Sequence, residues 1–231
     1  MSSKTGVPAL CLYGAGGHCK VVAATFSRGG RYRVIGLLDD APALWGTAVY
    51  GLQVLGGADQ FARLHAEGVR FAHVSIGDNR VRKARAKVLL EQGFSLASAI
   101  DPSAVVLSDL SRSVGLAILP FVFVGAEVEM GDNIIASIHT MIGHDCRVSD
   151  YAHLAPGVNL GGGVRLGEGT FLGLNASVLP GVRIGAWVTV GAGAVVASDL
   201  PDGVTAVGVP ARIVGRSEAM NARQQRAGAE E

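Results

Sequence analysis

Leu154-Ala155-Pro156-Gly157-Val158-Asn159-Leu160-Gly161-Gly162-Gly163-Val164-Arg165-Leu166-Gly167-Glu168-Gly169-Thr170-Phe171-Leu172 brings back an aliphatic residue at every sixth position. The same column continues forward through Val178, Ile184, Val190 and Val196, and backward through Val148 and Ile142. Further back it runs through Ala136, Met130, Val124 and Ile118. The residue after each aliphatic is usually small, as at Gly125, Gly143, Gly161 and Gly173. Four places after each stands a second compact column that includes Cys146, Ala152, Val158, Val164 and Thr170. Such a period matches neither an α-helix nor a half-buried strand. It fits a short strand plus a tight corner, repeated, with three units closing one triangular coil and the aliphatics stacked inward. The pattern predicts about four to five turns between Ile118 and Val196. Residues 100–116 approach it more weakly, and the register at 137–140 is blurred. Residues 197–203 leave the coil, 204–214 read as a strand-like cover, and 217–231 as a polar tail, frayed or disordered.

The first hundred residues alternate strands and helices. Strands are expected at 10–13, 34–38, 71–76 and 95–100, with helices at 20–27, 58–67 and 80–92. This order predicts a parallel sheet. Three marked turns, Gly14-Ala15-Gly16-Gly17-His18, Asp39-Asp40 and Gly77-Asp78-Asn79, fall at the carboxyl ends of strands, where ligands bind such sheets. The glycines satisfy only the opening of a dinucleotide fingerprint, because Cys19 follows where that pattern wants glycine. They read as a half-sized nucleotide site at a helix start, with Asp39 or Asp40 toward a ribose hydroxyl. A plain strand-to-helix turn beside a solvated acidic loop is the alternative. The expected division is 1–100, 101–215 and a tail, 216–231.

The chain has 231 residues and a formal net charge of +1, which gives no electrostatic case for nucleic acid or an acidic membrane. No apolar run approaches the ~20 residues that span a bilayer, and no signal segment is visible, so a cytoplasmic protein is the default. The three cysteines show no metal or disulfide spacing. Glycine is abundant, with 33 residues, but without a collagen triplet.

Among groups able to move a proton near neutrality, His144 stands out beside Asp145, near a coil corner. The pairing of adjacent side chains requires the corner to bend the chain. An ordinary surface histidine is the alternative reading, and His139 and His153 are its rivals. His65, His73 and Cys11 read as structural, Cys146 as core, and Cys19 lies beside the nucleotide loop.

With these motifs in view, the chain resembles the bacterial hexapeptide-repeat sugar acetyltransferases, typified by the bacillosamine-pathway N-acetyltransferase and the sialic acid O-acetyltransferases. The resemblance spans residues 9–215. It rests on Tyr13-Gly14-Ala15-Gly16-Gly17-His18, Leu38-Asp39-Asp40, Ser75-Ile76-Gly77-Asp78-Asn79, His144-Asp145-Cys146, Phe171-Leu172-Gly173-Leu174-Asn175 and Val207-Gly208-Val209-Pro210-Ala211. It implies a small Rossmann-like α/β domain followed by a left-handed parallel β-helix, assembled as a homotrimer with sites between neighbouring helices. It implies His144 as general base with Asp145 as the acidic residue that assists it. Gly16, Gly17, His18, Asp39, Asp40 and Gly77 match positions that hold a nucleotide-linked sugar, and His153, Leu174 and Ala192 positions around acetyl-CoA. No metal is called for. Departures are Cys19 for a glycine, Asp145 for a glutamate, and Ser137 for an asparagine near the sugar. The activity implied is N-acetylation of a nucleotide-linked 4-amino-4,6-dideoxy sugar, GDP-perosamine or a UDP-linked amino sugar. O-acetylation of sialic acid and a non-enzymatic sugar-binding scaffold are the competing readings.

Overall fold

Leu10, Cys11, Leu12 and Tyr13 are apolar without interruption, and all four are buried in the computed structural model, which describes residues 6–217. A strand covered on both faces reads this way. It is the heart of β1 (Ala9–Tyr13), followed by α1 (Gly17–Gly29), β2 (Arg33–Leu38), β3 (Ala48–Val49), β4 (Leu52–Gly56), α2 (Phe61–Ala66), β5 (Phe71–Val74), α3 (Asn79–Glu91) and β6 (Ser95–Leu96). The sheet order is β3-β4-β2-β1-β5-β6. All pairs are parallel except β3 with β4. That hairpin, turned by Tyr50 and Gly51 with φ of 52° and 73°, is absent from the sequence reading. Asp78 caps α3 by accepting the Val81 N–H at 2.9 Å.

The second part is a parallel β-helix with three faces. The first face stacks Ala99–Ile100, Ala117–Ile118, Ile135–Ala136, His153–Leu154, Phe171–Leu172 and Thr189–Val190, extended by Val204–Val207 and an antiparallel Arg212–Arg216. The second stacks Val105–Val106, Phe123–Val124, Met141–Ile142, Asn159–Leu160, Ser177–Val178 and Val195–Val196. The third holds Glu129–Met130, Arg147–Val148, Arg165–Leu166 and Arg183–Ile184. Each residue pairs with the one eighteen positions on, as Ile135 does with His153 and His153 with Phe171. The strands are two residues long, shorter than the repeat suggests, because corners take the rest.

The corners explain the composition. At every sixth residue from Phe121 to Gly193 the backbone has a positive φ: Phe121, Glu127, Asn133, His139, Asp145 and Tyr151, then mostly glycine. Residues 137–140, blurred in sequence, form an ordinary corner in which His139 stacks on Phe121 of the preceding coil, 5.1 Å between centroids. The other glycine column has a different cause. A Cβ on Gly161 would lie 2.7 Å from the Pro180 nitrogen one coil away. Inside run the two predicted columns, with Ile142, Cys146, Leu160 and Val164 fully buried.

The helix begins earlier than its repeat is legible. The sequence gives residues 95–100 to the α/β sheet, but only β6 belongs there; Ala99–Ile100 pairs with Ala117–Ile118 as the first rung. The chain crosses from one sheet to the other between Ala97, whose N–H reaches Ala72 O at 2.9 Å, and Ala99, whose N–H reaches Leu116 O at 2.7 Å. One apolar cluster spans the junction, joining Cys19, Val22 and Phe26 to Ala99, Ala117 and Ile135. Arg28 of α1 adds an ion pair to the buried Asp101 at 2.7 Å. Cys19 is therefore a packing residue. Residues 218–231, most of the expected tail, lie outside the described residues. Among the described residues no helix is long and apolar enough to cross a membrane.

Two outcomes follow for stability. Gly161→Ala forces backbone against backbone and lowers unfolding free energy by about 1–3 kcal/mol. Gly181→Asn, at a left-handed corner with open space around it, stays within ~1 kcal/mol of wild type, because Asn tolerates that conformation. Urea midpoints check the pair, and equal losses would remove the stacking explanation. His73 is fully buried with Nδ1 on Ala97 O at 2.9 Å, and burial pushes its pKa down to about 4. The folded state thus resists a proton that the unfolded chain takes up. Stability present above pH ~6.5 falls as the pH drops toward ~4, by up to roughly 3 kcal/mol. His73→Gln should make that slope shallower in unfolding curves recorded between those values, with the other buried histidines, His18 and His153, keeping part of it.

Candidate active site

The Gly14–His18 turn joins β1 to α1, and its glycines are not equivalent. Gly14 has a φ of 106°, and a Cβ there would strike Ile76, so the fold itself requires glycine. Gly16 has a φ of −76°, and neither it nor Gly17 has any atom within 4 Å of a built Cβ. Nothing in the chain demands glycine at 16 or 17. Their bareness leaves the N-terminus of α1 open to a group approaching its free N–H donors.

These residues line a cavity of about 340 Å³ that brings together Gly16, Gly17, His18, Asp39, Asp40 and Gly77, all six of the residues expected around a nucleotide-linked sugar. The two carboxylates are already engaged. Asp39 accepts the Ala15 N–H at 2.8 Å and the Ala41 N–H at 2.9 Å. Asp40 accepts the Tyr13 hydroxyl at 2.5 Å and pairs with Arg85 at 2.6 Å. Both shape the loop as well as facing the cavity. Burial, with Asp40 beside it, pushes the Tyr13 pKa up.

A second cavity, of about 440 Å³, lies between the start of α3 and the first face of the β-helix. His153, Leu174 and Ala192, the three residues expected around acetyl-CoA, all line it, together with Phe171, Trp187 and Val207. Its walls are largely apolar, and Gly173 and Gly191 in them belong to the column where a Cβ would strike the next coil. Gly77 lines both cavities. Its carbonyl accepts from His153 Nδ1 at 3.1 Å, and the His153 ring stands edge-on to Phe171 at 5.2 Å. The His18 and His153 rings are 6.2 Å apart. Burial first, and then the nearby Arg82 charge, lowers His18 to about 4 and His153 to about 3. The wall between the cavities therefore carries two neutral imidazoles at neutral pH.

His144 and Asp145 sit elsewhere. They form the corner between the second and third faces, opposite the first face. Asp145 has a φ of 58°, which swings its side chain alongside its neighbour, and its Oδ2 lies 2.6 Å from His144 Nδ1. The bend that the sequence required is this left-handed residue. A carboxylate accepts, so the Nδ1 proton is held there and the Nε2 lone pair is left free. The imidazole lies over Gly162, where a Cβ would meet Nε2 at 2.5 Å. Both side chains are exposed, 74% and 63%. His65 instead bonds Gln92 O at 2.8 Å, and Cys146 is core.

Sequence reasoning missed Trp187 and Arg82. Trp187 occupies the left-handed corner column (φ 57°) that elsewhere holds mostly small or polar residues, so its size was a signal. The Arg80 guanidinium lies 4.3 Å over its ring. Arg82 gave no signal, because it sits in a helix rich in outward cations.

Comparison with known proteins follows the same division. The PglD N-terminal domain family matches residues 9–89, and the bacterial transferase hexapeptide family matches residues 163–198. A GDP-perosamine N-acetyltransferase of Escherichia coli O157:H7 is 28% identical over 154 residues, 64% of this chain and 69% of that protein. The structure of PerB from Caulobacter crescentus, in complex with CoA and GDP-perosamine, is 41% identical with a TM-score of 0.84, covering 91% of this chain and 99% of that one. The acetyltransferase domain of PglB from Neisseria gonorrhoeae, in complex with acetyl coenzyme A, is 33% identical with a TM-score of 0.82, covering 90% and 100%. The chain belongs to the bacterial sugar acetyltransferase family that joins a PglD-type N-terminal domain to a β-helix of hexapeptide repeats.

Proposed function

We propose that the protein transfers an acetyl group from acetyl-CoA to the amino group of a nucleotide-linked 4-amino-4,6-dideoxy sugar, with GDP-perosamine the leading substrate. The carrying observation is the cavity at the bare N-terminus of α1, whose glycines the fold does not need, meeting the apolar cavity at Gly77. The nucleotide diphosphate lies on the Gly16–Gly17 donors, with Asp39 and Asp40 holding the loop. Acetyl-CoA lies along the first face against His153, Leu174 and Ala192. The two complexes, one with CoA and GDP-perosamine and one with acetyl coenzyme A, support this assignment. Both substrates are soluble metabolites, which supports a cytoplasmic setting.

His144 is the general base. The neutral sugar amine attacks the thioester carbonyl, Nε2 takes the amine proton, the C–N bond forms and the C–S bond breaks, and CoA leaves as a thiolate. Asp145 holds the imidazole in the tautomer that leaves Nε2 free. A backbone N–H stabilises the tetrahedral oxyanion. In one chain the base faces away from both cavities, so the working site needs a second copy. The second face offers the contact. Val105, Phe123 and Met141 form an outward, exposed apolar column on successive rungs, flanked by Phe121 and Ile138. This column runs between the corner that carries His144 and the corner that carries Leu174. A cyclic homotrimer packed through it would set the base of one copy against the cavity of the next.

Thiol release from acetyl-CoA, measured with GDP-, UDP- and dTDP-linked 4-amino sugars, tests the reading. One amino sugar should turn over, and His144→Ala should cut kcat by about 100-fold or more. Turnover of free sialic acid in place of any nucleotide sugar would replace N- with O-acetylation. Phe123→Glu should shift the species seen by light scattering from trimer to monomer and abolish turnover while leaving the monomer folded. An active monomer would remove the shared-site arrangement.

A further inference from the structure

Arg82 is one of a run of cations on α3, and the one that is fully buried: Arg80, Lys83 and Lys87 are exposed and Arg85 is half-buried on Asp40, while Arg82 is 1% exposed. All five of its N–H donors are used. Nε donates to Asn133 O at 2.9 Å, Nη1 to Ile76 O and Gly77 O at 3.0 Å each, and Nη2 to Asn79 Oδ1 and Tyr151 O at 2.7 Å each. Every acceptor is neutral. An ion held only by carbonyl dipoles is costly to bury, and an apolar side chain would fill the same space without that cost. The acceptors are also spread over three parts of the molecule. Asn133 and Tyr151 belong to successive coils of the β-helix, Ile76 and Gly77 to the loop after β5, and Asn79 to α3 itself. Asn79 in turn donates to Gly169 O at 2.9 Å.

We infer that Arg82 is a positioning residue of the acyl-transfer site: its planar fork clamps the 76–77 loop to the β-helix and so fixes the Gly77 carbonyl between the two cavities. Gly77 lines both, and its carbonyl also orients His153. A lysine has three donors on a flexible stem and cannot reproduce a fork of five. The charge has a second effect. The groups that face it are His18, His73, His153, Tyr151 and the α3 cap Asp78. Of these, all three histidines are biased further toward the neutral form that burial already favours.

The kinetic part of this inference rests on the acetyl-transfer reading; the titration part does not. The experiment compares wild type, Arg82→Lys and Arg82→Met by steady-state kinetics and by NMR titration of the histidine rings. Arg82→Lys should lower kcat/KM for the amino sugar by about 10-fold or more, with a raised KM, in a folded protein. In Arg82→Met the His18 and His153 titrations should move upward. Should Arg82→Lys fail to fold, Asn79→Ala removes the fork's side-chain acceptor while keeping the charge, and should lower kcat/KM several-fold. Wild-type kinetics in a folded Arg82→Lys or Asn79→Ala would overturn the inference, as would unmoved His18 and His153 titrations in Arg82→Met. If wild type transfers no acetyl group to any amino sugar, the functional reading fails, and the titration alone decides the role of Arg82.

Discussion

At every sixth residue from Phe121 to Gly193 the chain turns through a left-handed backbone conformation, and the β-helix depends on those turns. Each corner lets a two-residue strand end and the next begin at a new angle, so three faces close within one coil. The conformation is disfavoured for most L-residues. Here it is held by a ladder in which each rung bonds the rungs above and below, as Gly143 N–H does to Leu160 O at 3.0 Å. The same geometry produces the His144–Asp145 pair proposed as the base and its partner. Asp145 lies on the corner column, and its left-handed backbone brings its side chain to 2.6 Å from that of its neighbour.

The α/β domain stands on this column as a continuation of it. Its core merges with the first coils through Ala99, Ala117 and Ile135, and Arg28, Asn79 and Arg82 add polar ties to buried groups. The loops of the proposed substrate cavity are thus referenced to the β-helix, on which the proposed cofactor groove runs. Precision of this kind matters when two substrates must be held in line for direct transfer.

The repeat was legible because its inward columns are almost purely apolar and the position after each aliphatic is usually small. It faded where side chains take over backbone roles. In the first coil the third side has no strand; Ser108 and Ser113 hydroxyls donate to Gly125 O at 2.7 Å and Met130 O at 2.6 Å in place of ladder N–H groups. Between residues 99 and 116 the aliphatic column holds at Ile100 and Val106 and breaks at Arg112, on the side that has no strand. The loops at Gly16, Asp39 and Gly77 were visible as breaks at strand ends, and all line the same cavity. Arg82 was not visible, since a buried arginine and an exposed one on a basic helix have the same sequence context. The remoteness of His144 from the cavities was also hidden, because it depends on which side of the prism each hexapeptide occupies.

The eighteen-residue spacing between paired rungs, as from Phe171 to Thr189, also governs how the chain can gain or lose length. An added or deleted residue inside a strand turns every later aliphatic outward, and one extra hexapeptide rotates everything beyond it by a full face. Inheritance of insertions is therefore quantised: whole coils, or excursions that leave and re-enter at a corner. The pairing of Thr189 with Thr205, sixteen residues on, breaks that quantum only where no further coil has to keep register.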